Sequence, residues 1–340
     1  YDTLTDLVVR ERSNLKMIHR LKCLNFRRMS PLSLQFTMTA FGGGSASIRP
    51  RRALLFVPGN NLKLITSASR RQVDSVILDL EDAVSSNKKE EARQITVQCL
   101  NDIDWKSSEI LVRINARGST FENDDLQTIL SSKRLPDGFI LPMVESSDDV
   151  EFLSAKIVEH CGNRGKDIKI VGIVETALGA TRLSEIVSSC PERLEGIACG
   201  AEDYTADISV ERTKSNKEVW FLRNLIVLHC KSAKIQAIDI VHTNVVDEHS
   251  IVPEALEGFA MGFTGKSIIH PNHIEDVQRC YSPTQETINR AQKIVTAFEE
   301  HKRAGKGAFT LDGKMIDLPI VKNANLALQK ARLCGLSPVS

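Results

Sequence analysis

Ser75-Val76-Ile77-Leu78-Asp79-Leu80-Glu81-Asp82 decides how the rest of the chain is read. Its first half is apolar on successive positions, not alternate ones, which fits a short strand covered on both faces in a parallel sheet. Downstream, Lys88–Leu100 carries apolar residues three and four apart among charges, the pattern of an amphipathic helix. The same unit recurs on both sides: Ala53–Val57, Ile110–Asn115, Gly138–Val144, Lys169–Glu175, Leu194–Gly200, Ala237–His242 and Gly265–His270 read as strands, and Ser147–Cys161 as another amphipathic helix. Strand-helix alternation repeated eight times predicts an α/β fold, a single (β/α)8 TIM barrel rather than an open doubly wound sheet. No G-x-G-x-x-G fingerprint follows the first strand, which argues further against a dinucleotide fold. The barrel is expected over residues 51–300. Thr287–Ala304 adds one helical pattern after the eighth strand, and residues 301–340 read as a C-terminal helical or tail extension acting as a lid.

Composition narrows the classes. A chain of 340 residues with 42% hydrophobic and 26% charged residues can bury a large core and lacks the signature of a disordered protein. A net charge of +1 gives no reason to expect nucleic acid as a partner. No stretch approaches the roughly 20 apolar residues that span a bilayer, so no membrane partner is expected. The eight cysteines are scattered without a C-x-x-C pair, which fits a reducing compartment better than a disulfide or zinc framework.

Residues 1–50 read as an address. From Ser13 to Arg52 there is no acid, while Lys16, Arg20, Lys22, Arg27, Arg28, Arg49, Arg51 and Arg52 are interleaved with Leu, Ile, Phe and Ser. That composition suits a mitochondrial presequence, and hence the matrix, or else a disordered basic leader. Gly42–Ser47 then serves as a flexible Gly/Ser linker.

In a TIM barrel the chemistry gathers where the strands end. Here the strand ends carry charge: Asp79, Glu81 and Asp82 after the second, Arg113 in the third, Glu145 after the fourth, Glu175 after the fifth, Glu202 and Asp203 after the sixth, Asp239 in the seventh. Carboxylates sharing one ring cannot all stay ionised without a counter-charge. A hard divalent cation supplies one, and Mg2+ takes one or two carboxylates with waters and substrate oxygens. Position alone leaves other roles open. Glu175 and Asp203 also read as solvated loop acids or helix N-caps, and Arg113 as a counter-ion to Asp79 or Glu81. Asp79, Glu81 and Asp82 read as groups that orient metal waters or pair with arginines. His270 and His273 have the spacing of a metal pair, yet without a third partner they read as strand-end packing and a helix-start polar residue.

Taken together, Arg52–Asn60 (RALLFVPGN), Leu78–Val84 (LDLEDAV), Val112–Asn115 (VRIN), Val174–Ala177 (VETA), Gly200–Asp203 (GAED) and Gly265–Pro271 (GKSIIHP) resemble the citrate lyase beta-subunit family of the HpcH/HpaI aldolase superfamily. The resemblance runs in register from about Arg51 to Pro319. With Lys306–Phe309 and Met315–Pro319 in the tail, it looks most like the animal mitochondrial members. It implies Glu175 and Asp203 as Mg2+ ligands and Arg113 as the group meeting the substrate's carboxylate and carbonyl oxygens. It also implies Asp317, reaching from a neighbouring subunit's tail, as the catalytic base, and a homotrimer. Phe56, Lys63, Ile269 and His270 resemble coenzyme A contacts, although Lys63 also reads as an ordinary exposed lysine and Asp317 as a turn cap. The activity implied is a magnesium-dependent carbon-carbon lyase that cleaves citramalyl-CoA to acetyl-CoA and pyruvate. Malyl-CoA lyase, malate synthase or methylmalate synthase activity would use the same site, with an acyl-CoA and a 2-oxo acid, pyruvate or glyoxylate, as partners. Rival readings are a CoA-independent 2-oxo acid aldolase of the same superfamily and a non-catalytic CoA-ester-binding subunit.

Overall fold

The computed structural model describes residues 49–244, 250–303 and 308–338, so the expected leader lies almost wholly outside the described residues. Eight parallel strands close into a barrel in sequence order. They are β1 (Ala53–Pro58), β2 (Ser75–Asp79), β3 (Glu109–Arg113), β4 (Gly138–Leu141), β5 (Lys169–Val174), β6 (Leu194–Cys199), β7 (Gln236–Asp239) and β8 (Gly265–Ile268). Between them run α1 (Leu62–Ser69), α2 (Lys89–Asp102), α3 (Glu122–Leu130), α4 (Ser147–Cys161), α5 (Ala177–Thr181), α6 (Leu183–Ile186), α7 (Ala201–Asp207), α8 (Trp220–Ala233) and α9 (Ile251–Met261). After β8 come α10 (Ile274–Cys280) and α11 (Gln285–Arg303), then a hairpin of β9 (Phe309–Leu311) and β10 (Lys314–Ile316), then α12 (Leu318–Leu333).

Pleat parity divides the apolar residues between two layers. Leu54, Ile77, Leu111, Ile140, Val171, Ile173, Ala198 and Ile238 fill the barrel interior, with Phe56 packed against them. Their strand neighbours, such as Val76, Leu78, Ile110, Val112 and Ala237, face outward into the helix layer. A strand buried on both faces needs no polar alternation, which is why these runs read as continuously apolar. Closure pairs Ala53–Leu55 with Lys266–Ile268. At that seam a Cβ on Gly265 would overlap the Arg51 carbonyl, so only glycine lets the two strands meet.

Several strands stop earlier than the sequence pattern suggests. β4 ends at Leu141 instead of Val144, because Pro142 brings no N–H to the ladder and Met143 takes φ +51°. β7 ends at Asp239 and β8 at Ile268, where His270 turns the chain into a 3-10 segment, Pro271–His273.

The extension is more regular than a tail. Asp312 and Gly313, with φ of +50° and +75°, form the turn of the β9–β10 hairpin, a conformation favoured in two-residue hairpin loops. Ile288, Ala291 and Ile294 of α11 join Phe309, Ile316, Val321, Ala324, Leu328 and Ala331 in a cluster separate from the barrel's. That second core therefore draws on both sides of residue 301.

The barrel floor absorbs part of the basic stretch. Arg51 sends Nε and Nη2 to the two Glu109 oxygens at 2.7 and 2.6 Å and Nη2 to Glu195 at 2.7 Å. Arg52 pairs with Asp74 at 2.8 Å and Arg49 with Asp137 at 3.3 Å. These three arginines are structural ion partners of the floor.

Candidate active site

At the opposite, C-terminal end of the barrel, register sets Asp79 beside Arg113. The Asp79 carboxylate accepts both Nε and Nη2 of Arg113 at 2.7 Å, and it also accepts the backbone N–H of Glu81 at 2.9 Å and of Ala83 at 3.2 Å. One carboxylate thus fixes the guanidinium plane and folds the acidic turn. Nη1, the remaining edge of the fork, meets Glu81 at 2.7 Å and Asp82 at 3.1 Å. The Phe56 ring lies 5.1 Å from the guanidinium carbon. Arg113 is therefore both a counter-ion to Asp79 and Glu81 and a charge presented at the strand ends.

The acidic turn is braced from behind by residues that no motif announces. Lys89 Nζ donates to the carbonyls of Leu80 and Glu81 at 2.7 Å each. Asn115 Nδ2 donates to Leu80 O at 3.0 Å and to Asp125 at 2.6 Å, and Asp125 also receives Arg93 at 3.1 Å. A lysine on an amphipathic helix is ordinarily an exposed one, so its burial against two carbonyls was not legible in the pattern.

Glu175 follows β5 and is buried. Its Oε1 accepts the Met143 N–H at 2.7 Å, and Gly200, after β6, gives it room, since a Cβ there would overlap the carboxylate. Burial pushes the Glu175 carboxyl up to about 8; Asp203 and Glu81 add to the rise, against the Met143 N–H and Arg113. Burial likewise raises Glu81 to about 8, opposed by Arg113 and reinforced by Asp82, Asp79 and Asp203. Arg113 stays above its ordinary value, because Asp79, Glu81 and Asp82 outweigh the cost of burying its charge. Asp203 stands exposed in the first turn of α7, within electrostatic reach of both glutamates.

The cluster is therefore acids in excess of a single arginine, all oxygen donors, with two carboxyls forced toward the neutral form. Among the described residues no three His, Cys, Asp or Glu are placed to hold a metal by themselves. Two carboxylates completed by water and substrate oxygens are what Mg2+ accepts, and the charge deficit fits it.

Other positions separate from this cluster. Asp239 belongs to the helix layer: with Ile238 pointing inward, Asp239 faces outward and pairs bidentately with Arg223 of α8 at 2.9 Å. Asp317 stands at the head of α12 and accepts the Ile320 N–H at 3.2 Å, so within one chain it is a helix cap. Lys63 is exposed on α1, lining an open cavity of about 740 Å³ with Leu62, Thr66, Ser67, Arg70 and Arg71. Ile269 is 45% exposed after β8, and His270 Nδ1 accepts the Asn272 N–H at 3.3 Å. His270 and His273 meet edge to face at 5.9 Å, as packing residues do.

The HpcH/HpaI aldolase/citrate lyase family model matches residues 52–271, the whole barrel. The chain belongs to this family. With it the chain is a carbon-carbon lyase, as its sequence led one to expect. It is 39% identical over 287 residues to human "Citramalyl-CoA lyase, mitochondrial", covering 81% of this chain and 84% of the relative. It is 36% identical over 286 residues to the citrate lyase subunit beta of Leuconostoc mesenteroides subsp. cremoris, covering 83% and 94%. Among solved structures, protein CitE of Mycobacterium tuberculosis in complex with magnesium, acetoacetate and coenzyme A is 28% identical, with a TM-score of 0.66 over 83% of this chain and 98% of that one.

Proposed function

We propose that this lyase is a magnesium-dependent citramalyl-CoA lyase of the mitochondrial matrix, working as a homotrimer, with malyl-CoA lyase and malate or methylmalate synthase activity at the same site. The observation that carries the reading is the surplus of carboxylates around Arg113, with Glu175 buried and raised. Glu175 and Asp203 would hold Mg2+, which when bound supplies a Lewis acid for the oxo acid's carboxylate and carbonyl oxygens. The magnesium complex of CitE and the mitochondrial human relative support this reading.

The chain's own groups divide the rest of the work. Cleavage removes the proton of the tertiary hydroxyl, and the electrons of the bond between that carbon and the thioester's α-carbon pass into the thioester as an enolate. Pyruvate departs, and the enolate takes a proton at its α-carbon to become acetyl-CoA. Asp79 holds the Nε–Nη2 edge of Arg113, so the Nη1 edge can exchange Glu81 and Asp82 for substrate oxygens and stabilise that charge. Asp317 from a neighbouring copy is assigned the proton transfer at the α-carbon. Its flanks, Met315 and Leu318, are 68% and 65% exposed in the single chain, an apolar lip suited to another subunit. Lys63, Arg70 and Arg71 line a rim suited to the phosphates of coenzyme A, and Phe56, Ile269 and His270 to its approach to the strand ends.

The test is purified protein with citramalyl-CoA and magnesium, followed by pyruvate release. Release abolished both by EDTA and by Glu175→Gln is the expected result. No release from citramalyl-CoA or malyl-CoA by folded, magnesium-loaded protein would turn the reading to a free-acid aldolase or a silent CoA-ester-binding subunit.

A further inference from the structure

Met143 lies beside Glu175 at the C-terminal end of the barrel. It follows β4, its N–H is the group that holds Glu175 Oε1 at 2.7 Å, and its φ is +51°. Left-handed backbone is uncommon for any residue but glycine and a few short polar ones, and strain of this sort persists only where the surroundings over-determine it. They do so here. The next N–H, from Val144, is held by Ile173 O at 3.0 Å, and Val144 O is packed so closely over Gly179 that a Cβ there would overlap it. Ser146 and Asp149 then close a capping box at the start of α4. The chain from Met143 to the start of α4 is thus held at successive positions.

This hold has a geometric result. With its nitrogen on the Glu175 carboxylate, the Met143 Cβ lies within roughly 5 Å of Oε1 by bond lengths alone. The side chain that grows from it is 40% exposed, an unbranched apolar group that starts beside the Glu175 carboxylate. Glycine would hold this backbone without strain, so the fold tolerates a strained residue that brings a thioether to the edge of the acid cluster.

We infer that Met143 forms the apolar wall against which the small substituent on the substrate's hydroxyl-bearing carbon packs. The site then prefers a methyl group there over hydrogen, which leaves the wall unfilled, and over a carboxymethyl group, whose charge would be set against an apolar chain and close to carboxylates. This rests on the proposed function and sharpens it: the substrate class is a 3-hydroxyacyl-CoA whose hydroxyl carbon carries methyl, the difference between citramalyl-CoA and either malyl-CoA or citryl-CoA.

The experiment measures kcat/KM with magnesium for citramalyl-CoA, malyl-CoA and citryl-CoA in wild type, Met143→Leu, Met143→Ala and Met143→Gly. Wild type and Met143→Leu should favour the methyl ester over malyl-CoA by about tenfold or more, the worth of one methyl in a fitted pocket. Met143→Ala and Met143→Gly should bring that ratio near one, chiefly through KM. Because Met143→Gly also relieves the backbone, a change shared with Met143→Ala belongs to the side chain. Ratios within about twofold of wild type in both variants would overturn the inference. A wild type inactive on all three esters would instead be a failure of the proposed function. Calorimetric binding of pyruvate, glyoxylate and oxaloacetate to the magnesium-loaded protein then decides: a pyruvate preference lost in Met143→Ala supports the wall, and an unchanged preference or no binding overturns it.

Discussion

The two ends of this barrel are built from the same residue types and reach opposite electrostatic outcomes. On the floor Arg51 meets Glu109 and Glu195, and Ser75 donates to Glu109 at 2.8 Å. Although burial alone would raise the Glu109 carboxyl, Arg51 overrides it and holds the group below its ordinary value. At the strand ends Arg113 is shared by Asp79, Glu81 and Asp82, Glu175 lies beyond it, and burial wins: Glu81 and Glu175 both rise to about 8. Balanced charge makes a floor. Unbalanced charge makes a site, because the missing positive charge is one that a metal and a substrate can supply.

Substitutions at each end sharpen or break this contrast. The largest effect is expected from Arg51→Met, which leaves Glu109 buried without its partner and should cost about 3–5 kcal/mol of folding stability, read by denaturant unfolding, with kcat little changed. Glu175→Gln should do the reverse, lowering kcat/KM by on the order of 10³-fold while thermal unfolding of the metal-free protein stays near wild type or improves. If Glu175→Gln unfolds the protein as Arg51→Met does, the two ends are not different in kind. A smaller effect is expected at the brace. Lys89→Met should loosen the Leu80–Glu81 turn and reduce kcat by roughly tenfold, with partial recovery in Lys89→Arg.

The smallest effect is a pH dependence. The folded-state pKa of Glu109 lies below its ordinary value of 4.5, so its stabilising contribution is present above 4.5 and is lost as pH falls through the depressed value. The stability gap between wild type and Glu109→Gln should be constant near neutrality and close progressively below about pH 4.5. A gap that widened in acid would refute the depressed carboxyl.

Legibility in the sequence followed the range of the interactions involved. α4 was readable to the residue, Ser147–Cys161, because its apolar period lies within fifteen consecutive positions. The hairpin at Phe309–Ile316 was missed: two strands of three residues each leave too short a pattern to distinguish from tail. Arg113 was visible as a charge in an apolar strand, but its sharing between three acids was not, since that follows from register between β2 and β3. Asp239 was misplaced among the strand-end acids for a related reason, because one step of pleat parity turns it from the site to Arg223.

By itself, the sequence determined the number and order of the strands, the placement of acids at their ends, and the family, through motifs made of neighbouring residues. Tertiary structure alone decided which acids share Arg113, that Lys89 braces their turn, that Met143 holds Glu175 from a left-handed backbone, and that Gly265 closes the barrel against Arg51. The reason is physical. Local pattern sets which face a residue can show within its own element, but what it meets there is set by pleat parity and by pairings such as Ala53 with Lys266, between residues far apart in the chain.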